Sequence, residues 1–301
     1  MGCGASGSRH DIYYVEEVTA GVTPDTPAFK EFRNGTWDVN YDIPEVETAE
    51  MRSDGNVANV GTGNEQGSGS ISSPFAALAF DDALEALFRS SWVGDVLKNG
   101  TTERSFTFES RFLDIAQYVR DQYQVFSSLT LTIDPGAEVT AVWGFNGGAR
   151  TVAQTIITGA TYTPAATNAP FDNFLGTLSE GGVTSAIVTS LTVTIDLGTT
   201  VTHEVTNKTP ACISTKVFNV TGSATMQFID EVMMNKYLNG TESSLEFSLV
   251  DGTATQTHLL PRIKYNSATT PKNGTDDIFI TLGFRALLDP TEAATYKITR
   301  S

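Results

Sequence analysis

Three histidines, His10, His203 and His258, are the side chains of this chain best suited to proton transfer or metal ligation near neutral pH. They are far apart in sequence and share none of the short spacings that bring two imidazoles to one metal. They read as ordinary structural or surface residues. Gly61-Thr62-Gly63 with Gly67 invites comparison with a dinucleotide loop, whose glycines let the backbone approach a pyrophosphate. Its last glycine comes one residue late, and no strand-then-helix pattern surrounds it. Cys3 and Cys212 are the only cysteines, too few for a disulfide framework or a CxxC metal pair, and they suit a reducing compartment. Carboxylate pairs such as Asp276-Asp277 stand beside turn residues, where solvation is their natural role. No phosphate loop, nucleophile elbow, calcium loop or zinc-protease helix is present. These residues predict no enzyme, no metal site and no cofactor.

Charge narrows the partners. The formal net charge is −16, and the first hundred residues carry 16 of the 35 carboxylates but only 6 of the 19 basic residues. A general nucleic-acid binder needs the reverse, because phosphates are neutralised by Lys and Arg. Charged residues make up only 18% of the 301, below the usual quarter, so the chain has surface to hide and favours an oligomer. No apolar run approaches a bilayer span, which predicts no membrane partner.

The elements that would position any site are strands. Ser128-Leu129-Thr130-Leu131-Thr132-Ile133-Asp134 returns as Ser190-Leu191-Thr192-Val193-Thr194-Ile195-Asp196. Both copies alternate, with Leu, Val and Ile on one face and Thr and Asp on the other, the period of a half-buried strand. The echo suggests two sheets or two sub-barrels built alike, with wet faces of Thr and carboxylate. Alternation also marks residues 32–43, 103–109, 139–145, 151–157, 217–228, 244–250, 257–263 and 277–285. Asn146-Gly147 reads as a hairpin turn, and Asn239-Gly240, Asp251-Gly252 and Asn273-Gly274 as further turns. Phe80, Leu84, Leu87, Phe88 and Trp92 fall on one face of a helix that Asp81 and Asp82 open and Gly94 stops. Two short helical pieces are expected at 112–118 and 231–238.

Residues 1–30 read as an irregular arm broken by Pro24 and Pro27, and residues 48–73, rich in Gly, Ser and Asn, as a long loop. Residues 31–301 then form a single domain. The fold class is mainly β, a β-sandwich or partial barrel of two packed sheets with one flanking α-helix.

From about Phe32 onward the order of features resembles the major tail tube proteins of long-tailed, siphovirus-like bacteriophages. The resemblance rests on Phe80-Asp81-Asp82-Ala83-Leu84 with Ser91-Trp92, and on Arg104-Ser105-Phe106-Thr107-Phe108-Glu109 followed by the Leu129–Asp134 strand. It continues in Val220-Thr221-Gly222-Ser223-Ala224-Thr225 with Phe228 and Asp230, and finishes with Leu259-Leu260-Pro261-Arg262-Ile263, Ile278 to Phe284, Ala286 and Asp289. It implies a structural virion protein, made in the host bacterial cytoplasm, whose hexameric rings close into a barrel and stack as a tube for genome ejection. The implied partners are further copies of the chain, a tape-measure protein, a tail terminator, distal tail or baseplate proteins, and DNA in transit without specific binding. Under this resemblance Glu103, Glu109, Thr130, Thr132, Asp134, Thr192, Thr194 and Asp196 are the candidates for the lumen wall. Asp54, Asn56, Asn59, Asn64, Glu65 and Gln66 are the candidates for a loop reaching a neighbouring subunit or ring. The alternative is a capsid decoration protein or another non-enzymatic virion β-sandwich. A carbohydrate-binding module fits less well, because Trp37, Trp92 and Trp143 are dispersed.

Overall fold

A computed structural model describes residues 4–184, 188–271 and 277–301. Cys3, Asp276 and the Asn273-Gly274 turn lie outside the described residues. Strands hold 53% of the chain and helices 7%, so the architecture is mainly β, with a curled half-barrel sheet and two helices.

One strand, Gln117–Ile133, organises the molecule because it belongs to two sheets. Its first part pairs with Phe106–Phe112 and with Arg150–Ala153. Beyond Phe106–Phe112 come His10–Glu16, Ala28–Glu31 and, parallel to the last, Thr161–Thr163. Its second part pairs with Thr140–Gly147 on one side and Val188–Asp196 on the other. From there the large sheet runs outward through Gln66–Pro74 to Thr36–Asp42. In the other direction it runs through Asn219–Gln227, Phe279–Ala286, Thr255–Thr269 and Glu242–Val250 to Asp172–Glu180.

The bend between the two sheets sits at Tyr123, a non-glycine residue with φ 58°. The neighbouring segment turns the same corner at Gly147-Gly148, where Gly148 N–H donates to Gln122 O at 3.0 Å. A Cβ on Gly148 would lie 3.0 Å from Tyr123 Cβ, so glycine is needed here for close approach. Asn146-Gly147 is therefore a corner and not the expected hairpin turn.

The core lies beneath the large sheet and is dominated by aromatics. Trp143 is fully buried, with Phe80 at 5.3 Å, Phe126 at 5.9 Å and Phe32 at 6.1 Å between ring centroids. Its Nε1 donates to Ser73 Oγ at 2.9 Å, so its polar edge is satisfied. Helix Asp81–Phe88 adds Leu84, Leu87 and Phe88 to this core from its apolar face. Burial of each such side chain is worth about 1.5–3 kcal/mol. Asp82, in the first turn, pairs with Lys30 at 2.5 Å and accepts from Tyr14 at 3.1 Å. The helix ends at Arg89, whose left-handed φ of 53° lets its N–H reach Ala86 O; Gly94 lies too far on to be the stop. The second helix, Val232–Asn239, lies where a short helical piece is expected and ends at Gly240 with φ 63°.

Several expectations are corrected. Residues 4–30, the described part of the expected irregular arm, hold a regular element: His10–Glu16 is a seven-residue strand with Ile12, Tyr13 and Tyr14 buried, and the prolines fall after it. The piece at 112–118 is not helical, because Phe106–Phe112 and Gln117–Ile133 pair directly across the turn between them. The loop 48–73 is much shorter, since Gln66–Pro74 is a strand inside the large sheet. Its composition hid it, and the reason is steric: a Cβ on Gly69 would stand 2.1 Å from Asp38 O on the neighbouring strand. The two repeat segments do not build two separate sheets. They lie side by side and pair antiparallel, Thr192 opposite Thr132 and Thr194 opposite Thr130.

Candidate functional site

Because directly opposed residues in an antiparallel sheet point to the same side, the register of the large sheet defines its wet face. One cross-strand row runs Thr36, Ser72, Val142, Thr130, Thr194, Thr221, and then Arg285 and Lys264. The next runs Thr140, Thr132, Thr192, Ser223, Gly283 and Ser267. A third holds Ser190, Thr225, Thr281 and Thr269. The other face of the same strands carries Leu129, Leu131, Leu191, Val193, Ala224 and Leu282, all buried. The result is a carpet of hydroxyls over eight strands. The hydroxyls tie neighbouring strands together: Thr130 Oγ1 and Thr194 Oγ1 are 3.2 Å apart, Thr225 Oγ1 and Thr281 Oγ1 3.0 Å.

Of the residues singled out from sequence for this face, Thr130, Thr132, Thr192 and Thr194 come together in its centre. Asp196 stands exposed at the end of its strand and accepts from Gly198 N at 2.8 Å. Asp134 follows directly after Ile133, exposed, just past the end of the long strand. Glu103 and Glu109 do not join them. Glu103 precedes the strand Phe106–Phe112 and accepts from Thr215 Oγ1 at 2.5 Å. Glu109 is 0% exposed, bound by Arg120 Nε at 2.6 Å and by the Tyr162 hydroxyl at 2.6 Å. Its strand is covered on both faces, with Phe106, Thr107, Phe108 and Ser110 buried as well, so the alternation there does not separate dry from wet. The wet face is thus rich in hydroxyl, with carboxylates at Asp38 and Asp196 in one cross-strand row through Ser70 and Ser128.

Sequence reasoning missed Ser68, Ser70 and Ser72, whose alternation is legible only once Gly67 and Gly69 are read as inward positions. It also missed Arg285 and Lys264, the two exposed cations of the central row.

The second candidate region divides. Glu45–Glu47 and Val60–Thr62 form a two-stranded arm whose connecting loop holds Asp54, Asn56 and Asn59. Asp54 pairs with Arg52 at 2.9 Å, and Asn59 O accepts from Thr48 Oγ1 at 2.6 Å. Apolar Val46, Met51 and Val57 stand exposed on it. Asn64 is exposed at its base. Glu65 and Gln66 belong to the body: Gln66 begins the strand Gln66–Pro74, and Glu65 N donates to Lys208 O at 2.8 Å. Tyr41 donates its hydroxyl to Glu65 at 2.5 Å, and burial together with that bond pushes Tyr41 up to about 12.

His10, His203 and His258 remain apart. His258 is fully buried, stacked on Phe247 at 4.7 Å and bound through Nδ1 to the Tyr296 hydroxyl at 2.8 Å. Among the described residues no group of three or more His, Cys, Asp or Glu side chains converges to hold a metal, and no helix is long and apolar enough to cross a membrane.

A family model described as phage tail tube protein matches residues 7–286. No curated protein matches the chain.

Proposed function

From the premise that the chain belongs to the phage tail tube protein family, a family of structural virion proteins, we propose that six copies close into a ring and that rings stack into a conduit for the genome. The observation that carries this reading is the continuous hydroxyl face of the large sheet, which ends in the edge strand Thr36–Asp42. An edge with unpaired backbone groups is an aggregation hazard until another strand covers it, and closure into a ring removes every such edge. Heterologous contacts whose rotation closes give rings, and a translation between rings gives a filament.

In this reading the hydroxyl face is the bore. Hydroxyls hydrate well and carry no charge, so a passing phosphate backbone exchanges one water-mediated contact for another without being held. Thr130, Thr132, Thr192, Thr194 and Asp196 line it. The exposed arm with Asp54, Asn56 and Asn59 reaches a neighbouring subunit or ring. Its apolar side chains find cover only there, and the loop loses conformational entropy only on assembly. Tape-measure, terminator and distal tail proteins then meet the tube inside and at its ends.

The test is negative-stain electron microscopy of the concentrated chain carrying Thr192→Cys in a Cys3→Ser, Cys212→Ser background, since Cys212 is exposed and would itself react, labelled with maleimide gold. Hollow tubes with gold on the axis are expected. Tubes labelled on the outside would overturn the bore assignment, and particles that never form rings at any concentration, alone or with the tape-measure protein, would overturn the conduit.

A further inference from the structure

The wet face of a chain with net charge −16 carries two cations side by side, at the end of its cross-strand row away from Thr36. Arg285 and Lys264 are directly opposed across antiparallel strands, both exposed, with inward-facing Phe284, Ala286, Ile263 and Tyr265 buried on either side of them in sequence. Like charges in that relation repel, since opposed Cβ atoms stand about 4.5–5.5 Å apart. Glu242, opposite Lys264 on the next strand, eases this repulsion without bonding to either cation. Neither side chain makes an ion pair or hydrogen bond with another described residue. Glu242, the residue opposite Lys264, is taken by Arg262 through two bonds of 2.7 Å. Asp289, the other acid near Arg262, accepts from its own turn, Thr291 N at 2.9 Å and Glu292 N at 2.8 Å. On the far side of Arg285 the row continues with the hydroxyls of Thr221 and Thr194.

We infer that Arg285 and Lys264 form a phosphodiester-binding site on this face, with Thr221 as a third donor. The guanidinium fork suits two phosphate oxygens, the ammonium adds a mobile point charge, and the hydroxyl completes the contact. Repulsion between the two cations is relieved further when one anion lies between them. The role of the site in genome passage rests on the reading of this face as the bore. There each ring presents a circle of weak, transient phosphate contacts on a wall whose other charges include Asp38 and Asp196, guiding DNA along the tube axis without retaining it while its sequence goes unread. Two phosphate contacts make the affinity fall about tenfold between 50 and 200 mM salt.

The test is amide and arginine-side-chain NMR of the full chain, titrated with a short DNA duplex at low salt. Signals of Arg285, Lys264 and Thr221 should shift and saturate. The shifts should vanish in the double variant K264Q/R285Q, persist in K264R/R285K, and be untouched by K216Q, which removes an exposed cation elsewhere. Shifts confined to other cations, or unchanged in the double variant while its melting temperature is normal, would overturn the site. Inorganic phosphate, titrated separately, should move the same signals; if duplex moves them and phosphate does not, the contact is to bases and the phosphodiester assignment falls. The gold-label experiment reads a different quantity, so an anion site on a face that proves to lie outside the tube would count against the bore alone.

Discussion

Thr130 and Thr194, one from each copy of the internal repeat, face each other across antiparallel strands with their hydroxyl oxygens 3.2 Å apart. The repeat is thus a pairing of like with like at the centre of the wet face. A neutral hydrogen bond between half-exposed groups contributes about 1 kcal/mol. Thr194→Val should therefore lower stability by about 1 kcal/mol or less in urea unfolding. A loss above about 3 kcal/mol would mean that this pair holds the sheet together, which the geometry does not support.

Trp143 carries far more. It is fully buried among Phe80, Phe126 and Phe32 and donates to Ser73. Trp143→Ala should cost about 3–5 kcal/mol from the cavity left behind, with Ser73 Oγ also losing its donor. Chemical denaturation of the unassembled chain reads the difference directly.

The ion pair of Glu109 with Arg120 makes a sharper test of the corrected assignment. Glu109→Ala strands Arg120, which is only 12% exposed, and should cost about 3–5 kcal/mol. Removing both partners as Glu109→Leu with Arg120→Met should cost clearly less, because no buried charge is left unpaired. Were Glu109 an exposed residue of a lumen, the single substitution would be nearly silent in the free chain.

Acid should weaken the fold through His258. Burial lowers its pKa from 6.5 to about 3, so the native state refuses a proton that the unfolded chain accepts. The contribution is fully present above pH 6.5 and is lost as the pH falls toward 3, by about 1.4 kcal/mol per pH unit at most. Asp81 and Asp121 act in the opposite sense near pH 4, since burial raises both and their native forms take protons more readily. The clean measurement is the difference between the chain and His258→Phe in melting temperature at pH 7 and pH 5. The gap between them should narrow or reverse on acidification, and a gap that does not change with pH would refute the assignment.

Shortening the arm separates folding from assembly. Removing 54–69 would cut into the core strand Gln66–Pro74, so the informative variant replaces only residues 48–59, the exposed loop between Glu45–Glu47 and Val60–Thr62, with a short turn. It should melt like the parent chain and fail to form tubes under the electron microscope. Normal tubes would show that the arm has no part in assembly.

The sequence exposed the elements whose alternation is carried by bulky side chains. Leu129 and Leu131 against Thr130 and Thr132 could be read at sight, as could Trp37, Val39 and Tyr41 in Thr36–Asp42. Gln66–Pro74 could not, because its inward positions include Gly67 and Gly69 and a missing side chain leaves no hydrophobic mark. His10–Glu16 was masked by the prolines that follow it. Glu109 shows a different limit. Alternation separates two faces, but only packing decides whether the polar one is wet, and there Tyr162 and Arg120 cover it. The pairing of the repeat strands likewise depends on long-range topology that local pattern does not carry.

The strand Gln117–Ile133 runs for 17 residues through both sheets and turns from one to the other at Tyr123. A covalent backbone shared in this way couples the tilt of one sheet to that of the other, as two plates riveted to one bar. A subunit so built is a stiff voussoir. If copies close and stack as proposed, such a subunit would transmit load with little change in its own shape, so the bending would be taken up at the joints between subunits and the bore would keep its width.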